Sequence, residues 1–138
     1  MAEFPEHLKL EIVSPDRSYF SGEVSFVQVP GREGYLGICP GHTPLLSELK
    51  TGVVSFRHEG IETRLYCGWG FVEVLPDQVS ILIEEAQLPH EIDVEQARAD
   101  QKKAEEMLQA KDGVDFEEAL LLYHSAYARL EAAGQEEA

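Results

Sequence analysis

Residues 81–97 read Ile81-Leu82-Ile83-Glu84-Glu85-Ala86-Gln87-Leu88-Pro89-His90-Glu91-Ile92-Asp93-Val94-Glu95-Gln96-Ala97. Within this stretch the chain changes texture. Ile81, Leu82 and Ile83 close a series of short β-branched runs. Asp93 opens a segment rich in Ala, Glu, Lys, Gln and Leu that favours helix. Gln96 stands three residues after Asp93, the spacing of a capping box, so a helix is expected to start at Val94. Glu84 and Glu85 are neighbours on a strand end and point to opposite faces. They are read as solvated strand-closing residues rather than as a carboxylate pair sharing a substrate.

Upstream, apolar and polar residues alternate between turn residues. Leu8, Leu10 and Ile12 alternate with Lys9 and Glu11. Val24 to Val29 forms one run ending at Pro30-Gly31. Val53–Arg57 and Ile61–Tyr66 flank His58-Glu59-Gly60, and Phe71–Leu75 and Val79–Ile83 flank Pro76-Asp77-Gln78. Both pairs are hairpin signals, and many short strands at regular spacing indicate a sandwich or barrel. Downstream, a first helix is expected to run to Lys111 and stop at Asp112-Gly113, with Gly113 in a left-handed cap. Asp115 and Glu118 repeat the capping spacing. Phe116, Leu120, Tyr123, Tyr127 and Leu130 then form one stripe of a second helix, ended by Gly134. The short link makes the helices an antiparallel hairpin. The first helix offers mainly Val94, Ala97, Ala104, Met107 and Leu108 for burial, so the hairpin is expected to dock only lightly. The fold class is α+β: a sandwich over residues 1–90, then a helical hairpin over 91–138.

The chain has 138 residues and a formal net charge of -15. Such a surface disfavours the nucleic-acid backbone and anionic lipid, which both require clustered Lys and Arg. No apolar run approaches the roughly 18–20 residues that span a bilayer. The opening MAEFPEHLKL has no basic region followed by an apolar core, so no signal peptide is expected. Cys39 and His42 have the spacing of half a zinc site, but a structural zinc takes four ligands. Cys67 and His58 supply no second pair, so no metal is expected. Cys39 is read as a small buried residue and His42 as a turn residue seeking one hydrogen bond. Tyr123 and Tyr127 are read as core aromatics with hydroxyls at the rim. The nucleophile-elbow, phosphate-loop and zinc-protease signatures are all lacking, which argues against catalysis.

The segment GREGYLGICPGHTPLLSELKTGVV (31–54) closely resembles the epsilon subunit of bacterial F-type ATP synthases. The match to that family's glycine- and proline-punctuated pattern runs through Gly31, Glu33, Gly34, Leu36, Gly37, Ile38, Pro40, Gly41, His42, Pro44, Leu45 and Leu46. GWGFVEVLPDQVSILIEEA (68–86), IDVEQARADQKKAEEML (92–108) and LEIVSPDR (10–17) are also similar to it. The resemblance implies a ten-stranded antiparallel β-sandwich followed by the helical hairpin. It implies a non-catalytic central-stalk rotor part of the proton-translocating enzyme, set at the foot of the gamma subunit and on the polar loops of the c-ring. It also implies a hairpin that can fold down or extend along gamma towards the alpha/beta head and restrain ATP hydrolysis. The implied location is the cytoplasmic face of the bacterial inner membrane, held peripherally without direct lipid insertion.

Gly31, Glu33, Tyr35, His42, Leu45 and Leu46 are the expected interface to gamma and the c-ring, with Phe4 a further apolar candidate. Gly and Pro stiffen an exposed loop without a large core beneath it. Leu45 and Leu46 are either partner contacts or anchors of the loop to its own sandwich. Family members that bind ATP carry an Ile/Leu-Asp-x-x-Arg-Ala motif at the hairpin start. Ile92, Asp93 and Ala97 match it, but Gln96 stands in the Arg position. From residue 91 onward the bases are Arg98, Lys102, Lys103, Lys111 and Arg129, five against thirteen acids. No cofactor is expected, and an ATP-clamping hairpin is the alternative reading.

Overall fold

The computed structural model describes residues 5–110, 113 and 115–135. Phe4, Lys111 and Asp112 lie outside the described residues. Ten strands come first: β1 (Leu8–Val13), β2 (Ser18–Val24), β3 (Phe26–Gly31), β4 (Gly34–Ile38), β5 (Leu45–Leu49), β6 (Gly52–His58), β7 (Ile61–Cys67), β8 (Gly70–Leu75), β9 (Gln78–Ile83) and β10 (Ala86–Gln87). A 3-10 turn over Pro89–Glu91 leads into helices α1 (Val94–Gln109) and α2 (Phe116–Ala132).

The strands form one sheet in the order β10-β7-β6-β3-β5-β8-β9-β1-β2, with β4 attached to β3. The sheet folds over a core built from inward residues of every long strand, among them Leu8, Leu10, Ile12, Val54, Leu65 and Ile81, each fully buried. Alternation produces this arrangement. In β8 the exposure pattern is strictly in-out, with Val72 and Val74 buried and Phe71, Glu73 and Leu75 outward. Gly70 is required where β8 meets β9: a Cβ there would lie 2.1 Å from the Leu82 carbonyl oxygen.

The structure corrects several expectations. The ladders are antiparallel except one: β1 runs parallel to β9, with Leu10 opposite Val79 and Ile12 opposite Ile81. The run Val24–Val29 is not one strand. Its chain breaks at Ser25, whose N–H donates to the Arg57 carbonyl at 3.0 Å, so β2 ends at Val24 and β3 starts at Phe26. Both hairpin connections are tighter than read, with His58 opposite Ile61 and Leu75 opposite Gln78. α1 ends at Gln109 rather than Lys111, because Ala110 is extended.

Both expected cap residues cap their helices, but the reciprocal half of a capping box does not form at α1, where the Gln96 side chain turns to Asp100. Asp93 accepts from the Gln96 N–H at 3.0 Å, and Asp115 accepts from the N–H groups of Glu117 and Glu118. Gly113 has φ +75, the left-handed region that a side chain disfavours. The buried face of α2, however, differs from the expected stripe. Ala119, Ala126, Ala128, Leu130 and Ala132 are buried, while Phe116 is 61% and Tyr127 43% exposed. Small residues let α2 approach α1 and the sheet closely; of the expected stripe Leu130 is buried, Leu120 and Tyr123 are half-buried, and Phe116 and Tyr127 are turned outward. Tyr123 and Tyr127 stack on one another with ring centroids 6.4 Å apart, Tyr123 half-buried.

α2 lies on the outer face of β6 and β7. A small second cluster joins them: Val53, Tyr66, Ile92, Ala128 and Ala132, with Val94 and Ala133 at its edge. Burying a methyl group contributes about 0.8 kcal/mol, so a contact to which α2 brings only alanines is a shallow one.

Candidate docking surfaces and hairpin base

Three regions carry the chemistry of the chain. The first is the tip of the β3–β4 hairpin against β5. Gly31 is buried where it opposes Leu49 of β5. Arg32 beyond it pairs with Glu48 at 3.1 Å, and Glu48 also accepts from the Trp69 indole N–H at 2.7 Å. These contacts hold the tip and β5 around an open cleft of about 470 Å³. Glu33, Tyr35, Leu45 and Leu46 line it, so five of the six expected interface residues, Gly31 included, come together there. Tyr35 is 48% exposed, yet its hydroxyl accepts from the Val53 N–H at 3.1 Å. Burial of that oxygen pushes the Tyr35 pKa up.

Leu45 and Leu46 differ in register and exposure. Leu45 lies opposite buried Val74 and is 36% exposed, at the rim of the cleft. Leu46 lies opposite exposed Glu73 and is 71% exposed. His42 stands apart from the cleft. Its Nδ1 makes a 2.7 Å hydrogen bond with the Thr43 carbonyl, and its N–H donates to the Cys39 carbonyl at 3.1 Å. The neighbouring Gly41 N–H donates to the Pro76 carbonyl, tying this turn to the β8–β9 connection. Cys39 is exposed, not buried. Cys67 is the buried thiol, its pKa pushed up to about 12 by desolvation. Among the described residues no group of three or more His, Cys, Asp and Glu is placed to hold a metal.

The second region was missed at the level of sequence. On the outer face of β8 and β9, Phe71 opposes Leu82, and the Trp69 ring meets Phe71 edge-on at 5.0 Å. Trp69, Phe71 and Leu82 are 40% or more exposed and, with Val13 and Pro15, line an apolar cleft of about 360 Å³. A signal existed. Ile81-Leu82-Ile83 is apolar at both parities of a strand, so one face of it had to present an apolar residue outward. Three large apolar groups gathered on one face mark a contact surface more than scattered exposure does.

The third region is the base of the hairpin. Ile92 is buried in the small second cluster, Asp93 serves as the α1 cap, and Ala97 is buried. The Gln96 amide donates to Asp100 at 2.9 Å. The other Asp100 oxygen accepts from Arg129 at 2.8 Å across the two helices. This hydrogen bond from Arg129, helped by the one from Gln96, holds the Asp100 carboxyl below its ordinary range against partial burial. Tyr66 shares a 3.1 Å hydrogen bond with Ser125 and donates to Glu85 at 3.4 Å. Below this base, Arg17 from the β1–β2 turn pairs with Glu91 at 2.8 Å and lies over the Tyr19 ring.

The fold is thus of one class, a ten-stranded sandwich with an exposed apolar face, followed by a two-helix hairpin. The beta-sandwich domain of the ATP synthase delta/epsilon chain matches residues 7–89, and the long alpha-helix domain of the same chain matches residues 90–134. The chain belongs to the ATP synthase delta/epsilon chain family. It is 42% identical over 130 residues to the ATP synthase epsilon chain of Halalkalibacterium halodurans, covering 93% of this chain and 98% of that one. To the ATP synthase epsilon chain of Moorella thermoacetica it is 43% identical over 129 residues, covering 92% and 96%. Its fold is shared with a chain in the cryo-EM structure of the Euglena gracilis mitochondrial ATP synthase (OSCP, F1 and c-ring). There the TM-score is 0.81 at 23% identity, over 96% of this chain and 84% of that chain. The family is a non-catalytic part of its complex. No described helix is long and apolar enough to cross a membrane.

Proposed function

We propose that the chain is a central-stalk rotor subunit of a proton-translocating F-type ATP synthase, coupling c-ring rotation to the catalytic head through gamma. The observation that carries this is the pair of adjoining outer surfaces on one sandwich. The apolar face of Trp69, Phe71 and Leu82 suits a permanent partner, because aromatic anchors in desolvated pockets dominate stable interfaces. That partner is gamma. The cleft with Glu33, Tyr35 and Leu46 has a mixed, polar rim and suits the polar loops of the c-ring. The subunit then sits peripherally on the cytoplasmic face of the inner membrane, with no lipid insertion. Residues 1–90 and 91–138 act as separate units, the second restraining ATP hydrolysis when it leaves the sandwich and reaches the alpha/beta head.

The alternative, an ATP-clamping hairpin, has less support. Gln96 lacks the charge of an arginine, and its amide is engaged by Asp100. Arg129 is paired with the same carboxylate. Titration calorimetry of the isolated chain with ATP tests this, and micromolar binding would overturn it.

The docking reading is tested with purified gamma. Trp69→Ala is expected to weaken the complex about thirtyfold or more, the loss typical of a buried aromatic anchor. Unchanged affinity in Trp69→Ala and in Phe71→Ser would overturn the placement of gamma on this face. In the assembled motor, removing residues 92–138 is expected to raise ATP hydrolysis and leave synthesis-direction coupling largely intact. Unchanged hydrolysis would make the hairpin a structural appendage.

A further inference from the structure

We propose that Gln96, Asp100, Arg129, Ser125, Tyr66 and Glu85 form a protein-only latch that holds the hairpin against the sandwich without help from an anionic ligand. The proposal rests on the reading that the hairpin moves. Its basis is a continuous series of polar contacts across three elements. Gln96 and Arg129 both donate to Asp100, at 2.9 and 2.8 Å. Arg129 Nε donates to the Ser125 carbonyl at 3.3 Å, within α2. Ser125 Oγ meets the Tyr66 hydroxyl at 3.1 Å, and that hydroxyl donates to Glu85 at 3.4 Å. The series therefore starts on α1, crosses α2 and ends on the sandwich.

Beside this series, Arg64 of β7 also donates to the Glu131 carbonyl of α2, at 3.4 Å. The apolar part of the seat offers Ala128 and Ala132 to Val53 and Tyr66. Methyl groups against a sheet face set neither a register nor a direction, because apolar contact is non-directional. Hydrogen bonds do set one. Asp100 and Arg129 are mostly shielded from water, with side-chain exposures of 21% and 14%, so their pairing is screened less than a surface ion pair. Asp100 occupies the cation that α2 would otherwise offer to a phosphate, since Arg129 is the single Lys or Arg of α2. Asp100 and Arg129 act as positioning residues: they hold Ser125 where Tyr66 can reach it.

The root of the hairpin is pinned separately. Arg17 joins Glu91 at 2.8 Å, and Glu91 also accepts from the Leu88 N–H at 2.9 Å. The bend on opening then falls at Ile92 and Asp93, above the pin.

The test is a distance distribution on the full chain, with spin labels at Ser21→Cys and Glu117→Cys in a Cys39→Ser background. The parent chain is expected to show one predominant closed distance, unchanged by inorganic triphosphate. Tyr66→Phe and Asp100→Asn are each expected to raise the open fraction about fivefold, the effect of one net hydrogen bond. Helical circular dichroism should stay constant, which separates opening from unfolding. The exchange of Asp100→Arg with Arg129→Asp should restore the closed distribution. Unchanged open fractions in the single variants, or closure of the parent chain only on adding triphosphate, would overturn the latch. Because the measurement uses the isolated chain, its outcome is independent of gamma binding and of motor activity.

Discussion

The sandwich and the hairpin are stabilised in opposite ways. The sandwich buries Leu, Ile and Val from every long strand in one continuous core. The hairpin buries five residues of α2, four of them alanine, and faces Phe116, Leu121 and Tyr127 to solvent. The first arrangement resists deformation, since close-packed large side chains leave no room for alternative packing. The second gives up little on separating, because each buried methyl contributes little. The rotor role proposed above has use for both: a body that transmits force and an arm that can leave it.

The contrast breaks if the two regions respond alike to mutation. The largest effect is expected for Ile81→Ala in the sandwich core, a loss of about 2–5 kcal/mol, read as a lower urea midpoint for strand and helix signals together. If Ile81→Ala affects only the helix signal, the order of dependence is reversed. Truncation after Glu91 should shift the strand transition by no more than about 2 kcal/mol and leave it cooperative. A disordered truncated chain would erase the two-unit description. Asp115→Ala removes a cap that satisfies two N–H groups and should cost the hairpin about 1 kcal/mol. Gly113→Ala should do the same through its left-handed backbone. In both variants helical circular dichroism should melt earlier while the strand signal persists.

The smallest effect concerns pH. The folded Asp100 carboxyl titrates below its unfolded value because of Arg129. Its contribution is therefore complete above the unfolded pKa of about 3.9 and is lost as pH falls through the folded value. Acid titration should loosen the hairpin before the sandwich, seen as a helical change preceding the strand change. In Asp100→Asn this early step should disappear.

How much was legible in the sequence follows the same division. The in-out alternation of Leu8, Leu10 and Ile12 located β1, and the turn residues located the β6–β7 and β8–β9 hairpins. Asp93, Asp115 and Gly113 marked the helix ends, because capping depends on local chemistry. β4 and β5 were not separable from a rigid loop, since Gly34–Ile38 and Leu45–Leu49 lack clean alternation. Periodicity identified the apolar stripe of α2 but not its orientation. A helix can bury either its large face or its small one, and the choice depends on how closely its neighbour approaches. The cysteines were a related case: Cys39 is on the surface and Cys67 in the core, a difference set by long-range pairing. The expected interface cluster was mostly placed together. The Trp69–Phe71–Leu82 face depended on a cross-strand register that only the assembled sheet provides.

The parallel ladder between β1 and β9 also governs how the chain is made. Leu10 and Ile12 face their partners Val79 and Ile81 only after nearly the whole sandwich has left the ribosome. An antiparallel neighbour, β2, is available at once, so the first strand can pair early with β2 while its other edge waits. Closing so long a loop is slow, because its entropy is lost before the contact forms. The nascent chain thus carries an open strand edge through most of the synthesis of its sandwich, and the arrival of β9 is the event that seals it.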